Sequence, residues 1–289
     1  LRDGKGHNGA HGPDGMDASC PPFSSGTAGS AGVDGGAGGS GGAIFNLGSL
    51  NLRYCSFLSN VAGDGGNGGN GGDDAPICYW GGYDGGDGGA GGSGGAIFNS
   101  LGAVLDVQFC TFAENYAGRG GQGGVSGTDA TFASLSGGGD GGAGGSGGAI
   151  YNLGSMTLQS VTLSLNQTQS GGEGATGGTD GLPGSGGGLF SYSSTVSNIQ
   201  DSLFAENVSA APTGSDIAGV INSLGNNLIG AVDGSSGWLP ESGDLTGSLS
   251  NPLDPILATL AVYGGPTPTM PPLRGSPAID AGSGSGVAV

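Results

Sequence analysis

Residues 34–44 read DGGAGGSGGAI, and the same eleven letters return at 87–97 and at 140–150. Each step is 53 residues, and the next letters are FNL, FNS and YNL around Asn46, Asn99 and Asn152. A degenerate copy, GSGGGLF, follows at 184–190 after a shorter step of 39 residues. A sequence that repeats itself at a fixed period is read first as a stack of like units.

Behind each copy lies a β-like stretch: GSLNLRYCSFLSN (48–60), GAVLDVQFCTFAEN (102–115), GSMTLQSVTLSLN (154–166) and STVSNIQDSLFAEN (194–207). Leu50 and Leu52, Leu105 and Val107, Met156 and Leu158 alternate with polar residues, a period of two. A bend must follow, because Cys55–Phe57, Cys110–Phe112 and Val161–Leu163 form a second alternating pair. Each stretch closes on an asparagine: Asn60, Asn115, Asn166 and Asn207. Two short strands, a bend and an Asn corner, repeated, describe one coil of a parallel β-helix that buries each apolar face against its neighbours. Like residues then stack about 4.8 Å apart. Both asparagine columns become candidate hydrogen-bonded ladders. A β-sandwich with long loops is the alternative, and Asn-Gly hairpin signals do not sit between the strands.

Such a coil needs far fewer than 53 residues, and the surplus is glycine. The chain of 289 residues holds 73 glycines, several times the usual share. They fall in register. Asp64, Asn67, Asn70 and Asp73 sit every third residue; so do Asp84, Asp87, Ala90, Ser93 and Ala96. Period three is that of an extended polyproline-II-type helix. In G-G-x the x side chains share one face, leaving two bare faces for close backbone approach. Outgoing and returning arms from successive coils would stack beside the β-helix as a polyglycine-II bundle. A flexible linker is the competing reading. The resulting division is a glycine-rich lead-in (1–33), β-helix coils with inserted arms (34–230) and an atypical C-terminal segment (231–289).

Composition narrows function. Net charge is −18, with only Arg2, Lys5, Arg53, Arg119 and Arg274 basic. That argues against nucleic acid, whose phosphates demand cations, and against anionic membrane surfaces. No apolar run is long enough to span a bilayer. The sequence opens at Leu1 without an initiator methionine, which reads as a processed chain or a piece of a longer one. Acidity and an even cysteine count fit an extracellular location.

Candidate site residues come from the columns. Asp34, Asp87 and Asp140 share one repeat position, so stacking them suggests either solvated carboxylates or a calcium site. Cys55 and Cys110 also share a position. Disulfides Cys55–Cys110 and Cys20–Cys78 are expected, with a thiol column as the alternative. Tyr79, Trp80 and Tyr83 form an aromatic cluster suited to partner or carbohydrate contact, or to packing over the arms. His7 and His11 lie in the lead-in. Asn166 and Asn207 open glycosylation sequons that overlap the corner column. Glu114, Asp201 and Glu206 are the carboxyls available for glycoside chemistry, and corner residues in solvent explain them more simply.

GGAIFN, GGAIYN and the FAEN stretches resemble secreted pectin-lyase-like right-handed β-helix proteins, including the polymorphic outer-membrane-protein repeats. The tail DIAGVINSLGNNLIG (216–230) and DPILATLAVYGGPTPTMPPLRGSPAIDAG (254–282) is similar to the C-terminal cap of bacterial choice-of-anchor Q surface proteins. The arms resemble the polyglycine-II domains of PGRS type. The resemblance implies a right-handed helix, secretion and a surface role, with no single activity. The expectation is a non-enzymatic structural or adhesive solenoid, without a required cofactor unless calcium. It would self-associate head to tail into a surface or matrix filament, or contact a cell-surface or matrix polysaccharide. The alternative is a polysaccharide-binding module, or a lyase or hydrolase.

Overall fold

The computed structural model describes residues 30–73, 82–128, 136–192, 196–238 and 242–284. Cys20, Cys78, Tyr79, Trp80, His7 and His11 lie outside them.

The alternating stretches form the strands. The first coil holds β1 (Ile44–Asn46), β2 (Ser49–Arg53) and β3 (Ser56–Leu58). The second holds β4 (Ile97–Asn99), β5 (Val104–Gln108) and β6 (Thr111–Ala113). The third holds β7 (Ile150–Asn152), β8 (Ser155–Gln159) and β9 (Thr162–Ser164). The fourth holds β10 (Leu189–Ser191), β11 (Ser197–Gln200) and β12 (Leu203–Ala205). A fifth coil adds β13 (Ile217–Val220), β14 (Asn222–Ser223) and β15 (Leu228–Ile229). The shorter β16 (Ser235–Ser236) and β17 (Leu245–Thr246) continue the stack beyond residue 230.

Three parallel sheets result: β1-β4-β7-β10-β13-β16, β2-β5-β8-β11-β14 and β3-β6-β9-β12-β15-β17. Each coil contributes one strand to each sheet, so the chain is a right-handed parallel β-helix. Register places like on like: Ile44 pairs Ile97 and Ile97 pairs Ile150, while Phe57 pairs Phe112. The interior is therefore a set of apolar columns. Ile97, Ile150, Leu189 and Ile217 form one, and Phe112, Leu163, Phe204 and Ile229 another, all fully buried.

Each coil turns at residues in the left-handed region. Tyr54, Phe109, Ser160 and Asp201 (φ 48–53°) lie between the second and third sheets, and Ser59, Glu114, Leu165 and Glu206 (φ 53–61°) end the third-sheet strands. Gly41, Gly94, Gly147 and Gly186 adopt φ near 70° at the entry to the first sheet. Side chains at the first two corners hold a conformation that costs about 1–2 kcal/mol per residue. Hydrogen bonds from the following residue offset it, as described below.

Between the third sheet of one coil and the first sheet of the next runs an outgoing and a returning arm. Among the described residues the returning arms lie at 30–42, 82–95, 136–148 and 178–187, the outgoing ones at 62–73, 117–128 and 168–175. They form two layers, and the two glycines of a G-G-x triplet divide the bonding between them. The first glycine donates to the x carbonyl one rung on in its own layer: Gly35 to Asp87, Gly88 to Asp140, Gly141 to Thr179, at 2.7–2.8 Å. The second glycine donates across to the other layer: Gly89 to Gly66, Gly121 to Gly89, Gly142 to Gly121, each at 2.8 Å. Ordered, laterally bonded arms replace the flexible-linker reading.

Both glycines are there for lack of room. A Cβ on Gly88 would sit 2.0 Å from the Gly121 oxygen, and one on Gly142 would sit 2.0 Å from the Gly89 oxygen. The x side chains, by contrast, face solvent; Asp87, Ala90, Asp140 and Ala143 are exposed.

The C-terminal segment returns along the outside of the third sheet. Leu253, Leu257 and Ala278 pack on Leu203, Ala205 and Leu228. A short antiparallel pairing, Leu257 with Pro272 and Ala261 with Thr269, carries the tail back toward the first coils. There Ser56 Oγ donates to the Pro268 carbonyl at 2.8 Å.

Gly142→Ala is expected to lower stability by about 2–3 kcal/mol, since backbone must move to admit the methyl. Ala143→Ser next to it, on the exposed x face, should stay within about 0.5 kcal/mol. Urea unfolding of the two variants checks the pair; equal effects would contradict this packing.

Candidate functional site

The recurring polar residues converge on ladders that run the length of the solenoid. At the end of the first sheet, Asn46 Nδ2 donates to Asn99 Oδ1 at 2.7 Å, Asn99 to Asn152 at 2.6 Å, and Asn152 to Ser197 Oγ at 2.8 Å. The corner column is longer. Asn60, Asn115, Asn166 and Asn207 each donate Nδ2 to the next member at 2.8 Å, and the last acceptor is Asp216 Oδ1. The same oxygen takes the backbone N–H of the asparagine below, at 3.0–3.1 Å. The second Nδ2 hydrogen reaches back to a carbonyl of the preceding coil, as Asn115 does to Phe57 and Asn166 to Phe112, both at 3.0 Å. Buried amides are thus satisfied at each rung. This is what holds the left-handed corners. Asn166 and Asn207 are buried within the ladder, so their sequons serve structure.

Asp216 ends the column. Its carboxyl accepts from Asn207 through both the side chain and the backbone, and from the Ala231 N–H at 2.8 Å. Burial pushes its pKa up to about 6, with Glu206 adding repulsion, while those three N–H donors pull the other way. Sequence reading missed this residue, whose only signal was that Asp replaces Asn where the corner column meets the irregular coils.

The three repeat aspartates have an analogous task in the arms. Asp34 Oδ1 accepts the Asp87 N–H at 2.9 Å, Asp87 Oδ1 that of Asp140 at 2.8 Å, and Asp140 Oδ1 that of Thr179 at 2.7 Å. Ser40, Ser93 and Ser146 do the same with their hydroxyls, at 3.0–3.1 Å. So do Asp64, Asn67, Asn70 and Asp73 toward the outgoing arm above. Where the x residue one rung below is Asp, Asn or Ser, its side chain thus meets the x residue's N–H, which no glycine partner takes. Asp34, Asp87 and Asp140, expected to be either solvated carboxylates or a calcium site, are exposed on the arms. One oxygen of each is engaged by an amide, and no cluster of three or more His, Cys, Asp or Glu able to hold a metal exists among the described residues.

Of the two expected disulfides, Cys20–Cys78 lies outside the described residues, and at Cys55 and Cys110 the alternative, a thiol column, is found. Cys55 and Cys110 stack in register but are free thiols. Cys110 Sγ accepts the Cys55 N–H at 3.3 Å, and each thiol donates to the carbonyl two residues back at 3.2 Å. Like rotamers translated by one rung leave like atoms about 4.8 Å apart, far beyond a sulfur–sulfur bond of about 2.05 Å. Burial raises the Cys110 thiol to about 11, so it is a poor nucleophile. Farther along this corner column, Ser202 Oγ, Asn227 Oδ1 and Asp244 Oδ1 accept the Val161, Ser202 and Asn227 amides in turn.

The carboxyls considered for glycoside chemistry are spread over corners. Glu114 accepts from Ser59 Oγ at 3.1 Å and Glu206 from Ser164 Oγ at 2.9 Å, with the Leu165 coil between them. Asp201 takes Ser283 N and Oγ, both at 2.7 Å, and so tethers the tail. Of the aromatic cluster only Tyr83 is described. It lies near an arm tip, half-buried, with its backbone bonded to Gly72 and Gly127. A different aromatic column does exist: Phe45, Phe98, Tyr151 and Phe190 stack on the outer face of the first sheet, with centroids 4.7–5.1 Å apart.

No protein-family model matches the chain, and no curated protein does. The pectin-lyase-like and surface-repeat resemblance therefore rests on the motifs themselves. Among solved structures, the chain is similar to the nine polyproline type II helical bundle springtail antifreeze protein from Granisotoma rainieri. The two are 20% identical over 59% of this chain and 94% of that one, with a TM-score of 0.18.

Asp216 predicts a pH dependence. Its folded pKa is raised above the usual carboxylate value, so the protonated form favours folding. That contribution is complete below about pH 4 and lost as pH rises through about 6, roughly 3 kcal/mol in all. Unfolding midpoints of the native protein should fall between pH 4 and 7 more steeply than those of Asp216→Asn. Identical slopes would contradict the assignment.

Proposed function

We propose that this chain is a non-enzymatic extracellular structural or adhesive β-solenoid, that its arms are polyglycine-II helices, and that copies stack head to tail into a surface or matrix filament. The reading is supported first by how the polar repeats are used. The side chains that sequence alone offers for chemistry are engaged in internal ladders, which favours a scaffold.

The observation that carries self-association is the state of the first coil. Ile44, Leu50, Leu52, Cys55 and Phe57 are only partly buried, whereas their register partners Ile97, Leu105, Val107, Cys110 and Phe112 are buried. At the opposite end the core runs out through the partly buried Val232 and Trp238. Among the described residues, each end thus presents apolar cross-section and strand edge, the combination that pairs with another chain. An end-to-end contact that does not close on itself propagates.

Electron micrographs and sedimentation across a concentration series test it. Rods that lengthen with concentration are expected, and Leu52→Lys should shorten them. Discrete particles of one length at every concentration would overturn the filament.

A further inference from the structure

Two sulfurs line the corner between the second and third sheets at the first-coil end of the solenoid. Cys110 belongs to the buried core, and Cys55 packs against it one coil below. Register on both sides locks one over the other. Arg53 pairs Gln108 just before them, and Ser56 pairs Thr111 just after. The two side chains are turned alike, since each thiol donates to the carbonyl two residues back at 3.2 Å. The sulfurs are therefore related by a translation of one rung, about 4.8 Å.

We propose that Cys55 and Cys110 form a two-coordinate site for a soft cation of the Cu(I), Ag(I) or Hg(II) class, held in line between the two thiolates. The site is additional to the scaffold reading above, and it stands whether or not copies assemble.

Distance selects the chemistry. One rung is far too long for a sulfur–sulfur bond of about 2.05 Å. A metal–thiolate bond is about 2.3 Å, so a cation midway between two thiolates holds them about 4.6 Å apart. That separation is the rung itself to within a few tenths of an ångström. The parallel stacking that forbids a disulfide here is what sets the spacing for a bridging metal.

Ligand number selects the metal. A structural zinc ion takes four ligands, and no third His, Cys, Asp or Glu joins the pair among the described residues. In the coil above, the same column position is Val161, buried and apolar. Calcium and magnesium need several oxygen ligands. Soft thiolates select Cu(I) and cations like it, which accept two sulfurs in a line.

The surroundings accept the exchange. Binding replaces two S–H bonds by two metal–sulfur bonds and releases two protons. The Cys55 N–H already points at the Cys110 sulfur, 3.3 Å away, where it meets the thiolate charge. The Gln108 carbonyl, on losing the Cys110 S–H, keeps the Tyr54 N–H at 3.2 Å. Burial holds the Cys110 proton tightly, so the pair responds to cations that bind thiolate strongly enough to displace it. Cys55 is only half-buried and gives the cation its way in. A net charge of −18 draws cations toward the chain.

Anaerobic titration of the reduced chain with Cu(I), supplied as its bicinchoninate complex, tests the site. Cys20→Ser/Cys78→Ser is the cleaner background, because those two thiols lie outside the described residues. The expected result is one copper per chain, two protons released, and an X-ray absorption spectrum with two sulfur neighbours. Cys55→Val and Cys110→Val should each weaken retention more than about a hundredfold, beyond the loss of an outer-shell partner. Valine already fills this column at Val161, and melting temperatures should show that both variants fold. In the native background each valine substitution should remove one copper. Retention of no copper, or retention undiminished in either valine variant, would overturn the site. So would nitrogen or oxygen neighbours in place of two sulfurs, or displacement of the copper by equimolar zinc.

Discussion

The structure depends on one constraint: neighbouring backbones in the arms approach so closely that both bare positions of each G-G-x triplet must lack a Cβ. The oxygens opposing Gly88 and Gly142 occupy the space a methyl would need. Close approach lets the two glycines of a triplet such as Gly88-Gly89 each reach a carbonyl, one within its layer and one across it. What remains is the x amide, and Asp, Asn or Ser one rung below takes it. An arm with no apolar core of its own is thereby ordered by hydrogen bonding between neighbouring backbones, which buried or crowded backbone requires.

The β-helix obeys the same rule with different residues. At its corners the left-handed residues would be costly alone. The asparagine that follows each third-sheet corner accepts from the coil below through Oδ1 and donates through Nδ2 to the coils above and below, as Asn115 does. Arms and coils are thus one stack with a shared rung, and the 53-residue step is the length that keeps both in register. Where the step shortens to 39 residues, the fourth returning arm stays bonded to the third. The outgoing arm shortens instead.

Much of this was legible because stacking turns register into sequence identity. The columns Leu50–Leu105–Met156 and Asn60–Asn115–Asn166–Asn207 could be read directly, since like residues meet like residues one coil apart. The period-three glycines implied arms. Site chemistry was less legible. Asp34, Asp87 and Asp140 read as either a solvated column or a cation site, while the demand of the x amides one rung up is invisible until the rungs are assembled. Cys55 and Cys110 read as a bridge from their shared position, but parallel stacking keeps identical rotamers a full rung apart. Asp216 and the tail over the third sheet belong to the irregular coils, where no repeat announces a partner.

The most direct test of the account is amide hydrogen exchange resolved to the glycines of the second and third returning arms. Gly88, Gly89, Gly91 and Gly92, with Gly141, Gly142, Gly144 and Gly145, donate to backbone carbonyls on neighbouring arms. The account predicts that these amides exchange far more slowly than an unfolded peptide, with protection comparable to that of the strand amides in β5 and β8. Exchange at the unfolded rate in the arms beside protected strands would contradict it.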